Sequence, residues 1–206
     1  MVSKNKFYTR GKASKRIKDI FVTQIEEIIW KNKLAPETLN LPSAAGIEEI
    51  HIFEIWLKEA ELDPDALEFI DKSIPFPLFF RLIHDGQIRF AASWKRPSES
   101  NSRKWVNEAT FATPARSADS KPLPLPVAID LSILYEQMVR FYIPLPPRPT
   151  EGVREQVVRF KTIQEAEQER TRLEARLHRE KQFNRKVDTN ASLRALCKRL
   201  EDLKHP

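Results

Sequence analysis

Apolar residues recur along this chain at two spacings, one helical and one alternating. Across residues 13–34, "ASKRIKDIFVTQIEEIIWKNKL", Ile17, Phe21, Ile25 and Ile28 fall on one helical face with charges opposite, and Ser14 stands at a capping position. That spacing predicts an amphipathic helix. "IEEIHIFEIWLK" (47–58) alternates instead, with Ile50, Ile52, Glu54 and Trp56 on one side and His51, Phe53, Ile55 and Leu57 on the other. A strand apolar on most of both faces belongs inside a sheet. "DPDALEFIDKSI" (63–74) predicts a short helix, since Asp63 can cap it and Pro64 suits its first position. In "PLFFRLIHDGQIRFAASWKR" (77–96) two β-rich runs flank Asp85-Gly86, the kind of dipeptide that accepts positive φ in a tight hairpin turn. "KWVNEATFAT" (104–113) supplies a third strand of that meander. "AIDLSILYEQMVRFYI" (128–143) then predicts a helix capped by Asp130, with Leu134, Met138, Val139 and Phe141 toward the core.

Two proline clusters, "TPARSADSKPLPLP" (113–126) and "IPLPPRPTEG" (143–152), forbid helix and favour extended linker. The second marks the preferred boundary. Beyond it, apolar positions recur at 153, 157, 160, 163, 166, 173, 177 and 187 among alternating charges, which predicts one long exposed helix over 151–187. Leu173 and Leu177 fit a coiled-coil seam, but Arg170, Glu180 and Asn184 occupy its next positions and argue against a long self-associating coil. "VDTNAS" (187–192) offers caps for a second helix striped by Leu193, Leu196, Leu200 and Leu203. A hairpin and a single bent helix both satisfy that pattern. The expected fold is α+β, a largely antiparallel sheet with packed helices followed by a C-terminal helical arm or hairpin. The expected divisions are a basic segment over 1–20, a core over 21–145 and a charged helical arm over 146–206.

Length and composition fit this organisation, because 206 residues can bury a core without staples. Cys197 is the single cysteine, so no disulfide forms within the chain and a reducing, cytoplasmic setting is expected. Neither a membrane-spanning apolar run nor a secretory pattern behind "MVSKNKFYTRGKASKR" is present. The net charge of +6 is unevenly placed: +6 over residues 1–20, −4 over 21–150 and +4 over 151–206. With only four glycines, phosphate-cradling loops of the nucleotide-binding kind are absent.

Candidate chemistry is sparse. His51, His84, His178 and His205 are scattered with no metal-ligand spacing, and no metal or cofactor is expected. Cys197 beside the leucine stripe reads as a small packing residue. A restriction-type nuclease would pair an Asp with a later Glu-x-Lys. Here Glu54 and Lys58 stand four apart, with Asp71 and Asp85 as the available acids, so catalysis there is the minority reading. "KNKFYTRGKASKRIK" (4–18) interleaves Phe7 and Tyr8 with cations. Either Lys4, Lys6, Arg10, Lys12, Lys15 and Arg16 meet phosphates while the rings stack on bases, or the rings dock on a neighbouring protein surface or on the domain itself and the cations stay solvated. Along the C-terminal helices positive and negative residues mix, which favours a protein partner over a phosphate track.

Five phrases are also distinctive as wording: "KNKFY" (4–8), "LAPETLNLP" (34–42), "EEIHIFEIWLK" (48–58), "FIDKSIPFPLFF" (69–80) and "EKQFNRKVDTNASLRALCKRLEDL" (180–203). In this order they resemble the bacterial family called domain of unknown function 4391. The resemblance implies a companion of restriction-modification-type loci, encoded beside a helicase and a DNA methyltransferase. It carries no catalytic residues. Relatives tend to continue with charged helix formers where this chain has "DTNAS", which puts helix continuity there in question. The expectation is therefore a non-catalytic accessory subunit of a restriction-modification or anti-phage defence complex, docking on a helicase or methyltransferase and contacting DNA. Phe183, Val187, Leu193, Leu196 and Leu200 would hold that partner or close the hairpin. A divergent metal-dependent nuclease and a stand-alone nucleic-acid-binding module are the alternatives.

Overall fold

A computed structural model describes residues 1–98, 101–119 and 124–205, and for 101–104 the backbone alone. Contacts divide the chain into two compact units, Met1–Pro144 and Leu145–Pro206.

The first unit is built on a mixed sheet. Strands β1 (Ile25–Leu34), β2 (Ile50–Leu57), β3 (Leu78–His84), β4 (Gln87–Ser98) and β5 (Asn101–Ala112) lie side by side in sequence order, and β6 (Arg116–Ser117) pairs with the start of β4. β2 and β3 run parallel, while the other described pairs are antiparallel. A parallel pair needs a crossover, and it contains α4 (Pro64–Ser73), capped as its sequence predicts by Asp63 Oδ1 accepting from Asp65 N at 3.0 Å. Asp85 (φ 43°) and Gly86 (φ 69°) both sit in the left-handed region, as a two-residue hairpin turn between β3 and β4 requires.

The helix predicted over 13–34 is the main departure. Only α2 (Lys15–Gln24) is helical, with Ser14 Oγ accepting from Ile17 N at 3.3 Å, and from Ile25 the chain becomes β1. The register explains the misleading spacing. Ile25 opposes Leu57 and Ile28 opposes Ile55, with a bulge between Ile25 and Glu27. One extra residue turns a three-residue interval into a same-face pair, so a bulged strand buries Ile25 and Ile28 as a helix would. Pairing along β2 decides between the two.

Alternation gives the sheet two dressed faces. Phe53, Ile55 and Leu57 of β2, with Leu78, Phe80 and Leu82 of β3, share one core with Phe21 of α2, Ile70 of α4 and Phe7 of α1 (Lys4–Gly11). The opposite face carries α5 (Leu131–Arg140), whose Tyr135 ring stacks on Trp94 at 5.3 Å and meets Phe79 edge-on at 6.1 Å. Asp130 caps α5 as predicted, through Ile133 N at 2.8 Å. Phe141, expected in the core, is instead 60% exposed, because α5 ends at Arg140 and the chain turns there. A short turn, α3 (Pro36–Leu39), links β1 toward β2.

The second unit is a helical hairpin of α6 (Val153–Arg179) and α7 (Phe183–Lys204), which pack together. Helix α6 stops earlier than the 151–187 pattern predicts. Glu180 adopts an extended conformation, and its Oε1 accepts from Lys181 N at 2.9 Å and Gln182 N at 3.0 Å, satisfying donors at the start of the next helix. "DTNAS" does not break the chain. Thr189 Oγ1 donates to Arg185 O at 2.8 Å and Ser192 Oγ to Asp188 O at 3.1 Å, so their hydroxyls are satisfied inside α7. Two arginines close the other end: Arg148 donates to Asp202 O (2.6 Å) and His205 O (3.0 Å), and Arg159 to Leu203 O (3.0 Å). They give the last carbonyls of α7 the donors a helix C-terminus lacks.

Candidate functional site

The six N-terminal cations divide by what they touch. Lys4 Nζ donates to Phe21 O at 3.0 Å and Ile25 O at 2.5 Å, holding the α2–β1 junction, and burial pushes its ammonium below the usual range. Arg16 reaches Asp63 Oδ2 at 3.1 Å and Asp65 Oδ2 at 2.7 Å. Lys6, Arg10, Lys12 and Lys15 are exposed and make no ion pair among the described residues. The interleaved rings serve the fold: Phe7 is buried in the core, and Tyr8 meets Phe21 edge-on at 5.4 Å. The basic segment therefore presents charge without a free Phe7 ring.

The acids of the nuclease alternative are separated by the sheet. Glu54 lies on the α5 side, ion-paired through Oε1 with Arg81 Nη1 at 2.9 Å and through Oε2 with Lys31 Nζ at 3.0 Å. Asp71 lies on the α4 side, where Lys95 Nζ is 2.9 Å from its Oδ1 and Asn107 Nδ2 donates to its Oδ2 at 3.1 Å. Lys58 Nζ is spent on Val22 O at 2.7 Å, and Asp85 occupies the hairpin turn. Among the described residues no cluster of three His, Cys, Asp or Glu side chains is placed to hold a metal ion.

In the hairpin, Leu200 is buried and Leu193 and Leu196 are half-buried, so this part of the predicted stripe is covered. Phe183 and Val187 are not: they are 78% and 51% exposed, one turn apart at the start of α7.

A cleft of about 630 Å³ opens on the first unit over β3 and β4. Phe79, Phe90, Tyr142, Ile52, Ile88 and Met138 give it apolar walls, and Arg81 and Arg116 supply its charge. The Arg116 guanidinium lies 4.7 Å from the Phe90 ring centre. Burial pushes the Tyr142 hydroxyl up to about 12 against the downward pull of Arg116 and Arg81, so it stays protonated at neutral pH.

A family model described as domain of unknown function 4391 matches residues 1–200. The chain belongs to that family. No curated protein and no solved structure matches it. For this member of the 4391 family, sequence reasoning missed the cleft altogether. Arg81 and Arg116 sit in different strands and Tyr142 follows α5, so no local spacing joins them. The only linear signal was Arg81 itself, a cation inside a strand otherwise apolar from Leu78 to Ile83.

Proposed function

We propose that this 4391-family chain is a non-catalytic accessory subunit of a restriction-modification or anti-phage defence complex. It docks through the α6–α7 hairpin on a helicase or DNA methyltransferase, and Lys6, Arg10, Lys12 and Lys15 meet DNA. The observation that carries the docking reading is the exposed Phe183–Val187 pair, an i,i+4 apolar step suited to a partner's groove. Mixed charges around it favour a protein surface as its cover. The wide separation of Glu54 and Asp71, each already paired with its own cations, argues against a nuclease centre built from them.

The test is co-purification with the products of adjacent genes. Wild-type chain should retain a helicase or methyltransferase, and Phe183→Glu/Val187→Glu should lose it while melting normally. Retention by the double variant would remove the docking reading. The four unpaired cations also suit a stand-alone nucleic-acid-binding module, for which DNA affinity would be unchanged when the partner is absent.

A further inference from the structure

We propose that the cleft over β3 and β4 binds a nucleotide, its phosphate held by Arg81 and Arg116 and its base against the half-buried rings of Phe90 and Tyr142. The inference is independent of the docking role.

Its first support is charge. The described lining contains two arginines and no carboxylate. Glu54, the acid paired with Arg81, is shared with Lys31 and so does not cancel both cations. Arg116 has no carboxylate partner among the described residues, and the buried Nε atoms of both Arg81 and Arg116 lack a hydrogen-bond acceptor. Buried guanidinium donors left without acceptors are costly, and an anionic oxygen is the group that relieves them.

The second support is the balance of donors. Tyr142 keeps its proton, and the Thr113 hydroxyl, already accepting from Phe90 N at 3.0 Å, retains a proton to give. Asn32 adds an amide at the wall. A cationic or purely apolar ligand would leave these donors unanswered, whereas the several oxygens of a phosphate suit donors arriving from different elements. The remaining wall is aromatic and aliphatic, and stacking on such rings is how bases are held without sequence readout. A cleft of about 630 Å³ falls in the size range of small-molecule sites and exceeds the needs of phosphate alone. The Arg116–Phe90 stack holds the guanidinium plane in place before any ligand arrives.

Titration calorimetry on the full chain tests this with the four deoxynucleoside monophosphates, the matching deoxynucleosides, inorganic phosphate, and a short single strand with and without a 5′-phosphate. At least one monophosphate should bind, with its unphosphorylated nucleoside and inorganic phosphate each at least about tenfold weaker. Arg116→Met should weaken binding by about tenfold or more at an unchanged melting temperature. If that variant fails to fold, Tyr142→Phe and Arg81→Lys decide by the same measure. A 5′-phosphorylated strand binding tighter than every monophosphate assigns the site to a strand end, and the reverse order assigns it to a free nucleotide. Absence of binding by all phosphorylated probes, equal binding with and without phosphate, or indifference of a folded cleft variant would overturn the proposal.

Discussion

At Lys95 one ammonium group faces four acceptors: the carbonyls of Asp71 (2.6 Å), Ile74 (3.3 Å) and Phe76 (3.1 Å), and Asp71 Oδ1 at 2.9 Å. Three protons serve the three carbonyls, so the carboxylate contact is an ion pair out of line for a hydrogen bond. This cation closes the C-terminal end of α4 from a strand, with a side chain only 2% exposed. Burial pushes the Lys95 ammonium down and the Asp71 carboxyl up, and their mutual attraction opposes both. Lys95→Met should cost about 3–5 kcal/mol, because it strands Asp71 and the helix carbonyls together. Adding Asp71→Asn should restore part of that loss in urea unfolding, and a loss below about 1 kcal/mol would contradict the capping role. His51 is a second buried base, and its shift makes stability depend on pH near neutrality. Burial pushes its imidazole below the usual range, with Glu49 opposing, so the fold prefers it neutral. Its contribution is full above the unfolded value of about 6.5 and falls as pH drops through that value, by up to about 1.4 kcal/mol per unit. Urea midpoints at pH 7.5 and 5.5 should therefore diverge less in His51→Phe than in the wild type.

Among elements, close approach and bulges matter more than propensity. Gly11 ends α1 where an added Cβ would fall within the radii of Phe69 Cζ and Ser73 Oγ on α4. Only a residue without a side chain lets these helices meet. Gly11→Ala should cost about 1–3 kcal/mol through overpacking, visible as a lowered melting temperature. The same close approach explains why the basic segment lies on the fold: α1 carries Phe7 into the core, and Lys4 ties it to the end of α2. In the hairpin, Leu200→Ala should cost about 2–5 kcal/mol, since the side chain is 3% exposed, whereas Phe183→Glu should leave the melting temperature within a degree or so. Equal losses at both positions would mean that Phe183 is covered by this chain.

Over the whole molecule, charge and fold are separable. The acidic excess of residues 21–150 sits on the unit that holds the sheet, yet the exposed Lys6, Arg10, Lys12 and Lys15 belong to that same unit. Replacing these four by Gln should flatten the salt dependence of DNA binding by about 0.9 in logarithmic slope for each phosphate no longer neutralised. An unchanged slope in a filter-binding titration would remove these four cations from the proposed DNA contact. No helix among the described residues is long and apolar enough to cross a membrane.

The sequence by itself determined what local chemistry controls. Asp63, Asp130 and Ser14 cap where capping residues were expected, Asp85-Gly86 turns a hairpin, and β2 lies inside the sheet because both its faces are apolar. Tertiary structure decided whatever depended on a distant partner. Pairing with β2 made Ile25–Leu34 a bulged strand, the Glu180 carboxylate and the α6–α7 packing placed the bend before Phe183, and the sheet register set Glu54 and Asp71 on opposite faces. Arg81, Arg116 and Tyr142 share a cleft for the same reason. Periodicity records which residues are buried, but a strand with one extra residue and a helix bury the same positions, and only the neighbouring backbone chooses between them.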